Sequence, residues 1–202
     1  MKNDFDRVAP IYDRLAYLVF GNKLEEVQQT FLHVIPPSSK VLIVGGGSGK
    51  ILEWLPQEKN LEIAYIELSK KMMKQAKGRT NSSNEVLFYH ADIMDVYDEF
   101  DVIIANFFLD CFDSQGLRKV LEKFSLLLAK KGQLIVTDFR KNQNKRDFWL
   151  MKLMHAFFKF VSNLESNDLL DLHSEILSTG FKEQNFQEID RGQLFTAVYS
   201  KY

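Results

Sequence analysis

Three glycines at the spacing Gly45-x-Gly47-x-Gly49 follow the apolar run Val41-Leu42-Ile43-Val44, and Ile51-Leu52-Glu53-Trp54-Leu55 continues beyond them with helical spacing. A buried strand that enters a glycine turn and leaves as a helix is a nucleotide-cradling unit. Glycine permits positive φ and lets a ligand lie against bare main chain at the start of the helix. The next apolar run, Leu61-Glu62-Ile63-Ala64-Tyr65-Ile66, ends in Glu67. An acid closing the second strand about 20 residues on is placed to accept from a pair of ribose hydroxyls.

Three nucleotide chemistries compete for this turn. A phosphate-binding loop needs G-x-x-x-x-G-K-[ST]; here Val44 stands where the first glycine belongs, and Ile51, which cannot ligate magnesium, follows Gly49-Lys50. A dinucleotide-binding fingerprint needs its third glycine three places after the second, where this chain has Lys50. The spacing present, G-x-G-x-G after an apolar strand, resembles motif I of the class I S-adenosylmethionine-dependent methyltransferases. Glu67-Leu68-Ser69 with Met72 and Ala76 resembles that family's acidic-x-Ser-x-x-Met-x-x-x-Ala stretch, and His90-Ala91-Asp92-Ile93 resembles its third motif. Phe100-Asp101-Val102 through Leu109 is similar to its fourth-strand motif F-D-x-V-x-x-x-x-x-L, and Leu126 to Val136 is similar to the helix, glycine and fifth strand that follow. The order holds over residues 38–140. Phe5-Asp6-Arg7-Val8-Ala9-Pro10-Ile11-Tyr12-Asp13 resembles the F-D-x-x-A-x-x-Y-D opening of methyltransferases related to the ubiquinone and menaquinone biosynthesis enzymes.

The resemblance implies a cofactor, S-adenosylmethionine, left as S-adenosylhomocysteine after transfer, and a residue set that holds it. Gly45, Gly47 and Gly49 form the turn, and Glu67 takes the ribose hydroxyls. Leu68 and Met72 lie beside the adenosine, Asp92 accepts from the adenine amino group, and Ile93 flanks the ring. Asn106 closes the fourth strand at the same crevice, and Tyr12 reaches the methionine end. The chain departs from the family at Ile43, where an acid two residues before the first glycine supports the loop and the methionine end. The fourth-strand motif reads Asn106-Phe107-Phe108-Leu109, without the N-P-P-[YF] signature of amino-nitrogen methylation.

These motifs must be carried by alternating strands and helices. Strands are expected at Lys40–Val44, Leu61–Ile66, Glu85–His90, Asp101–Asn106 and Gln133–Asp138, then a closing hairpin of Phe181–Ile189 and Gln193–Ser200 about Asp190-Arg191-Gly192. The fourth is continuously apolar after Asp101 and is expected to be buried on both faces. Helices are expected from Leu24 to Ile35, stopped by Pro36-Pro37; from the cap Ser69 to Lys77; from Gly116 to Lys130 with Gly132 just past its end; and from Asp168, capped by Asn167, to Ser178. Strands alternating with helices imply an α/β, Rossmann-like, doubly wound sheet with right-handed crossovers and ligand beyond the strands' carboxyl ends. The family order is seven strands, 3-2-1-4-5-7-6, with the last strand antiparallel.

At 202 residues the chain is expected to be one domain, with residues 1–37 as a helical lid, 38–140 as the cofactor-binding core, 141–166 as a helical substrate-side insertion and 167–202 as the last helix and hairpin. The insertion holds Phe148, Trp149, Met151, Met154, Phe157, Phe158 and Phe160, at spacings that suit either core packing or an apolar pocket. A net charge of −1 with no basic face gives no reason to expect nucleic acid as partner. The longest apolar run falls well short of a membrane span, the polar start is unlike a signal peptide, and a single cysteine, Cys111, suits a reducing cytoplasm. No metal-ligand cluster of cysteine and histidine stands out. The expected partner is a small, rather apolar acceptor methylated on carbon or oxygen, with the protein a monomer or homodimer. Asp110, Asp138, Arg140 and His155 are candidates to face the acceptor, behind them His33, His90 and His173, and none is assigned a catalytic role. Two other classes stay open: a methyltransferase-like binding or scaffold domain without turnover, which Ile43 allows, and a nucleotide-cofactor oxidoreductase, which the glycine spacing disfavours.

Overall fold

The computed structural model describes residues 14, 17, 18, 20–79, 84–140 and 170–201. The strands are β1 (Lys40–Val44), β2 (Glu62–Ile66), β3 (Glu85–Tyr89), β4 (Phe100–Asn106), β5 (Leu128–Phe139), β6 (Lys182–Ile189) and β7 (Leu194–Ser200). They hydrogen-bond in the order β3-β2-β1-β4-β5-β7-β6. The first five run parallel, and β7 is antiparallel to both of its neighbours. The helices are α1 (Lys23–Gln29), α2 (Ile51–Trp54), α3 (Lys70–Lys77), α4 (Ser114–Leu127) and α5 (Leu172–Ser178).

Period-two alternation divides the central strands between two apolar layers. Leu42, Val44, Ile103, Ala105, Leu134 and Val136 face Leu117, Leu121 and Phe124 of α4 and Leu172 and Ile176 of α5. Val41, Ile43, Ile63, Tyr65, Val102, Ile104 and Ile135 face Ile51 and Leu52 of α2, Ala76 of α3 and the turn around Leu32. Val102, Ile103, Ile104 and Ala105 are all fully buried, so β4 is covered on both faces as its continuous apolar run requires.

Four local expectations are corrected. The helix read from Leu24 to Ile35 stops at Gln29 and resumes as a 3₁₀ turn over Leu32–Val34. The break lets Val27 pack beside Phe139 and Leu194 while Phe31, Leu32 and Ile35 reach the other layer, which one straight helix could not do. The helix read to Lys130 ends at Leu127, and Gly132 lies inside β5 rather than past a helix end. Leu128 turns extended to pair with Phe100, and a register shift absorbs the residues before Gln133. Strand five therefore begins at Leu128 instead of Gln133, because burying both Leu127 and Leu128 outweighs the glycine signal. The last helix starts at Leu172, capped by Asp171, whose Oδ1 accepts from Ser174 N at 3.3 Å; Asn167 lies outside the described residues. Ser69 caps α3 as expected, accepting from Met72 N at 3.2 Å.

At the carboxyl end of β5, the buried Asp138 gathers main-chain donors. Its Oδ2 accepts from Leu109 N at 3.1 Å and Asp110 N at 3.3 Å, and its Oδ1 accepts from Phe139 N at 2.8 Å. Asp138 thereby fixes the 3₁₀ turn Leu109–Cys111 that follows β4. Burial, with the Asp110 charge adding to it, holds its pKa well above 3.8 despite these donors.

Two stability measurements check this architecture. Phe124→Ala, in the α4 layer, is expected to lower the unfolding free energy by about 3–5 kcal/mol, whereas Leu126→Ala, on the solvent side of the same helix, should change it by no more than about 0.5 kcal/mol. Similar losses at both positions would place α4 the wrong way round. A carboxyl whose pKa is raised in the folded state adds stability below its unfolded value and loses it as pH rises through the folded value. The difference in unfolding free energy between wild type and Asp138→Asn should therefore shrink as pH rises from 3.8 towards neutrality, in urea titrations at stepped pH. A difference that grows with pH would mean that the ionised form is the favoured one.

Candidate functional site

The carboxyl ends of β1, β2 and β4 open on one crevice, roofed on one side by α1. Its floor is the glycine turn. Gly45 N donates to Ile66 O at 3.0 Å, so the turn begins by clasping the end of β2. Gly45, Gly47 and Gly49 have φ of 58°, 62° and 83°, the left-handed region that disfavours any side chain with a Cβ. A Cβ on Gly47 would meet nothing within 4 Å, so its main chain is bare towards the crevice. A Cβ on Gly49 would lie 2.6 Å from Ala76 Cα, so this glycine is required by packing on α3 and does not line the crevice.

Tyr65 of β2 and Glu67, just past its end, hold Gly47 by both its polar groups. Tyr65 Oη donates to Gly47 O at 2.9 Å, and Glu67 Oε2 accepts from Gly47 N at 3.0 Å. Tyr65 stands beside Ile43 in register, and its ring occupies the space a side chain at Gly46 would need. Glu67 Oε1 accepts from Ser69 N at 2.6 Å, so one buried carboxylate joins the turn to the start of α3. Burial pushes the Glu67 pKa up, and the main-chain donors at Ser69, Gly47 and Leu68 and the nearby His90 pull against it. The acid expected at position 43 is not what supports the loop; Tyr65 and Glu67 do. Composition offered no sign of the Tyr65 contact, which arises only from the β1–β2 register.

Beyond Glu67 the crevice is walled by Leu68 and the buried Met72 on one side and by Ala91, Asp92 and the buried Ile93 on the other. Asp92 Oδ1 accepts from Met94 N at 3.0 Å, capping the 3₁₀ turn Ile93–Asp95. His90 lies outside the crevice and steadies it, with Nε2 against Leu68 O at 2.8 Å. At the opposite end, under β1 and β4, stand Glu25 and Gln28 of α1 with Lys50 and Asn106. Lys50 Nζ and the Glu25 carboxylate form an ion pair. Asn106 Nδ2 donates to Gln28 Oε1 at 3.3 Å. Phe107, Phe108, Phe112, Leu24 and Cys111 give this end an apolar wall. Burial raises the Cys111 thiol well above its ordinary value, so it serves as a small apolar group.

Of the residues singled out from sequence, Gly45, Gly47, Glu67, Leu68, Met72, Asp92, Ile93 and Asn106 meet at this crevice. Tyr12, the Phe5–Asp13 segment, the 141–166 stretch and His155 lie outside the described residues. Asp138 sits behind the Leu109–Cys111 turn, and Arg140 pairs with Glu188. Neither lines the crevice, nor do His33, His90 and His173. His173 lies between Tyr199 Oη, at 2.8 Å from Nδ1, and Glu183, at 3.2 Å from Nε2. Glu25, Gln28 and Lys50 were missed. The signal for them was the i, i+3 placement of Glu25 and Gln28 on one helix face, which has meaning only once that face is known to cover the turn.

Residues 42–134 match a family model described as a methyltransferase domain. No curated protein matches the chain. Several solved structures share the fold. The N-methyltransferase NodS from Bradyrhizobium japonicum, in complex with S-adenosylhomocysteine, superposes with a TM-score of 0.66 at 16% identity, over 88% of this chain and 87% of that one. Magnesium protoporphyrin IX methyltransferase from Synechocystis, also with bound S-adenosylhomocysteine, gives 0.71 at 13% identity, over 93% and 87%. A chain from the complex of a Haloferax volcanii methyltransferase activator with a methyltransferase gives 0.73 at 12% identity, over 99% and 98%. With a match to a methyltransferase domain at its centre and a seven-stranded sheet in this order, the chain has the fold of the class I methyltransferases.

Proposed function

We propose that this chain binds S-adenosylmethionine in the crevice and transfers its methyl group to carbon or oxygen of a small, rather apolar molecule, releasing S-adenosylhomocysteine. The observation that carries this reading is the convergence of Gly47, Glu67 and Asp92 on one crevice from the ends of three neighbouring strands. When bound, the cofactor supplies a methyl group on a positively charged sulfur, open to in-line displacement. The work left to the protein is alignment and exclusion of water.

Each carboxylate oxygen has a second lone pair, so Glu67 can accept from the ribose hydroxyls while it keeps Gly47 N and Ser69 N. Asp92 caps its own turn through Oδ1, leaving Oδ2 to accept from an adenine amino group. Ile93 and Met72 supply apolar flanks for the ring, and the phenyl groups of Phe107, Phe108 and Phe112 suit an apolar acceptor. A displacement of this kind needs no protein nucleophile, and a base only where the acceptor must lose a proton, so no catalytic residue is assigned. The reading takes the chain as one methyltransferase domain, acting as monomer or homodimer in the cytoplasm. A second reading, a binding or scaffold domain without turnover, draws on the buried Ile43. Transfer of labelled methyl to any of a panel of small apolar acceptors would exclude it.

Saturating S-adenosylhomocysteine should raise the melting temperature, with ligand at ~100 times its dissociation constant adding about 2.7 kcal/mol. No shift at millimolar ligand would overturn the cofactor reading. Charge-assisted hydrogen bonds contribute about 1.5–3 kcal/mol each, so Glu67→Ala should weaken binding at least about tenfold in calorimetry. An affinity equal to wild type, in a variant that retains its circular dichroism, would remove Glu67 from the ribose.

A further inference from the structure

We propose that the amino-acid end of the cofactor is received by Lys50, Glu25 and Asn106, in place of an acid at position 43; this rests on the cofactor reading above. The sheet order sets the geometry. Glu67 and Asp92 stand at the ends of β2 and β3, so an adenosine held by them sends its tail towards the ends of β1 and β4. That is where Lys50, Glu25 and Asn106 line the crevice. Ile43 cannot serve the tail: it is 2% exposed, within the apolar layer of Ile51, Tyr65 and Ile104.

The charges match an α-amino acid. Among the described lining residues Lys50 is the one cation, and Glu25 is the one acid besides Glu67 and Asp92. The two form an ion pair with side chains 31% and 29% exposed, so it is part-solvated and can open. A zwitterion inserted into an ion pair exchanges like for like: its carboxylate takes Lys50, its ammonium takes Glu25, and the net charge of the crevice is unchanged. Asn106 adds a second, independent sign. Its Nδ2 is committed to Gln28 Oε1, and Gln28 is in turn anchored by Nε2 to Leu24 O at 2.7 Å. This fixes the amide so that Oδ1 is a buried acceptor with no hydrogen-bond partner among the described residues. An acceptor left bare at a crevice is completed by a donor from the ligand, and an ammonium has three.

The test separates tail from nucleoside by titrating S-adenosylhomocysteine and methylthioadenosine, which lacks the amino acid, in calorimetry. Wild type should prefer S-adenosylhomocysteine. Lys50→Met and Glu25→Gln should each weaken S-adenosylhomocysteine at least about tenfold and change methylthioadenosine less than about twofold, while Lys50→Arg keeps most of the preference. Glu67→Ala should weaken both ligands alike. Equal affinity of wild type for the two ligands, or variants that lose neither or both together, overturns the proposal while leaving the cofactor reading in place. Binding of neither ligand by wild type overturns both. Melting temperatures without ligand verify folding, and the isosteric Glu25→Gln carries the readout where Lys50→Met is unstable.

Discussion

The hydrogen bonds that join Tyr65 and Glu67 to Gly47 hold the rest of the crevice in place. Gly47 is left-handed, and among the described residues nothing stands within 4 Å of where a Cβ on it would point. Restraint comes from below, from two side chains two residues apart, Tyr65 on β2 and Glu67 just past its end. Tyr65 reaches the Gly47 carbonyl from within the apolar layer, and Glu67 reaches the Gly47 amide from the strand's end. Because Glu67 also accepts from Ser69 N, and Glu67 N donates to Tyr89 O at 3.2 Å, the same residue fixes the start of α3 and the alignment of β2 with β3. Burying a carboxylate is costly, and its raised pKa records that cost; the main-chain donors around it offset part of it.

The two apolar layers make this possible. A turn held by a few hydrogen bonds keeps its shape only if the strands beneath it do not slide. β1 and β4, buried on both faces, fix the register that sets Ile43 opposite Tyr65 and Ile104. Asp138 performs on the β4 side the task that Glu67 performs on the β2 side: a buried carboxylate collects main-chain amides and fixes the turn that walls the crevice. Both are acids at the carboxyl end of a strand, where the chain leaves the sheet with amides unpaired.

The central strands and the crevice-lining residues were legible because they are written locally, as apolar runs, a glycine spacing and an acid at a strand's end; the strand order came with the family resemblance. What escaped was written across the chain. Tyr65 reads as one more apolar strand residue; only its register beside Ile43 brings its hydroxyl to Gly47. Glu25 and Gln28 carry no signal of their own in the sequence; Val27 packs beside Phe139 and Leu194 while Glu25 and Gln28 line the crevice. Gly132 carried a true turn signal and still misled, because the helix before it ended where Leu128 could be buried rather than where glycine allowed.

Isoleucine at position 43 is then consistent with the rest of the turn. An acid there would bring a second carboxylate to the loop that Glu67 already serves. Two like charges in one poorly solvated site raise each other's pKa, and one of them would tend to protonate. Tyr65 supplies loop support through a neutral hydroxyl, which adds no charge beside Glu67. With Tyr65 in that place, a branched apolar side chain at 43 fills the layer between Ile51 and Ile104. Recognition of charge is moved outward to Lys50 and Glu25, where part-solvation makes an ion pair cheap to hold and cheap to open. Support of the turn, by Tyr65 and the buried Glu67, and recognition of a charged tail, by a part-solvated ion pair, are thus divided between different residues.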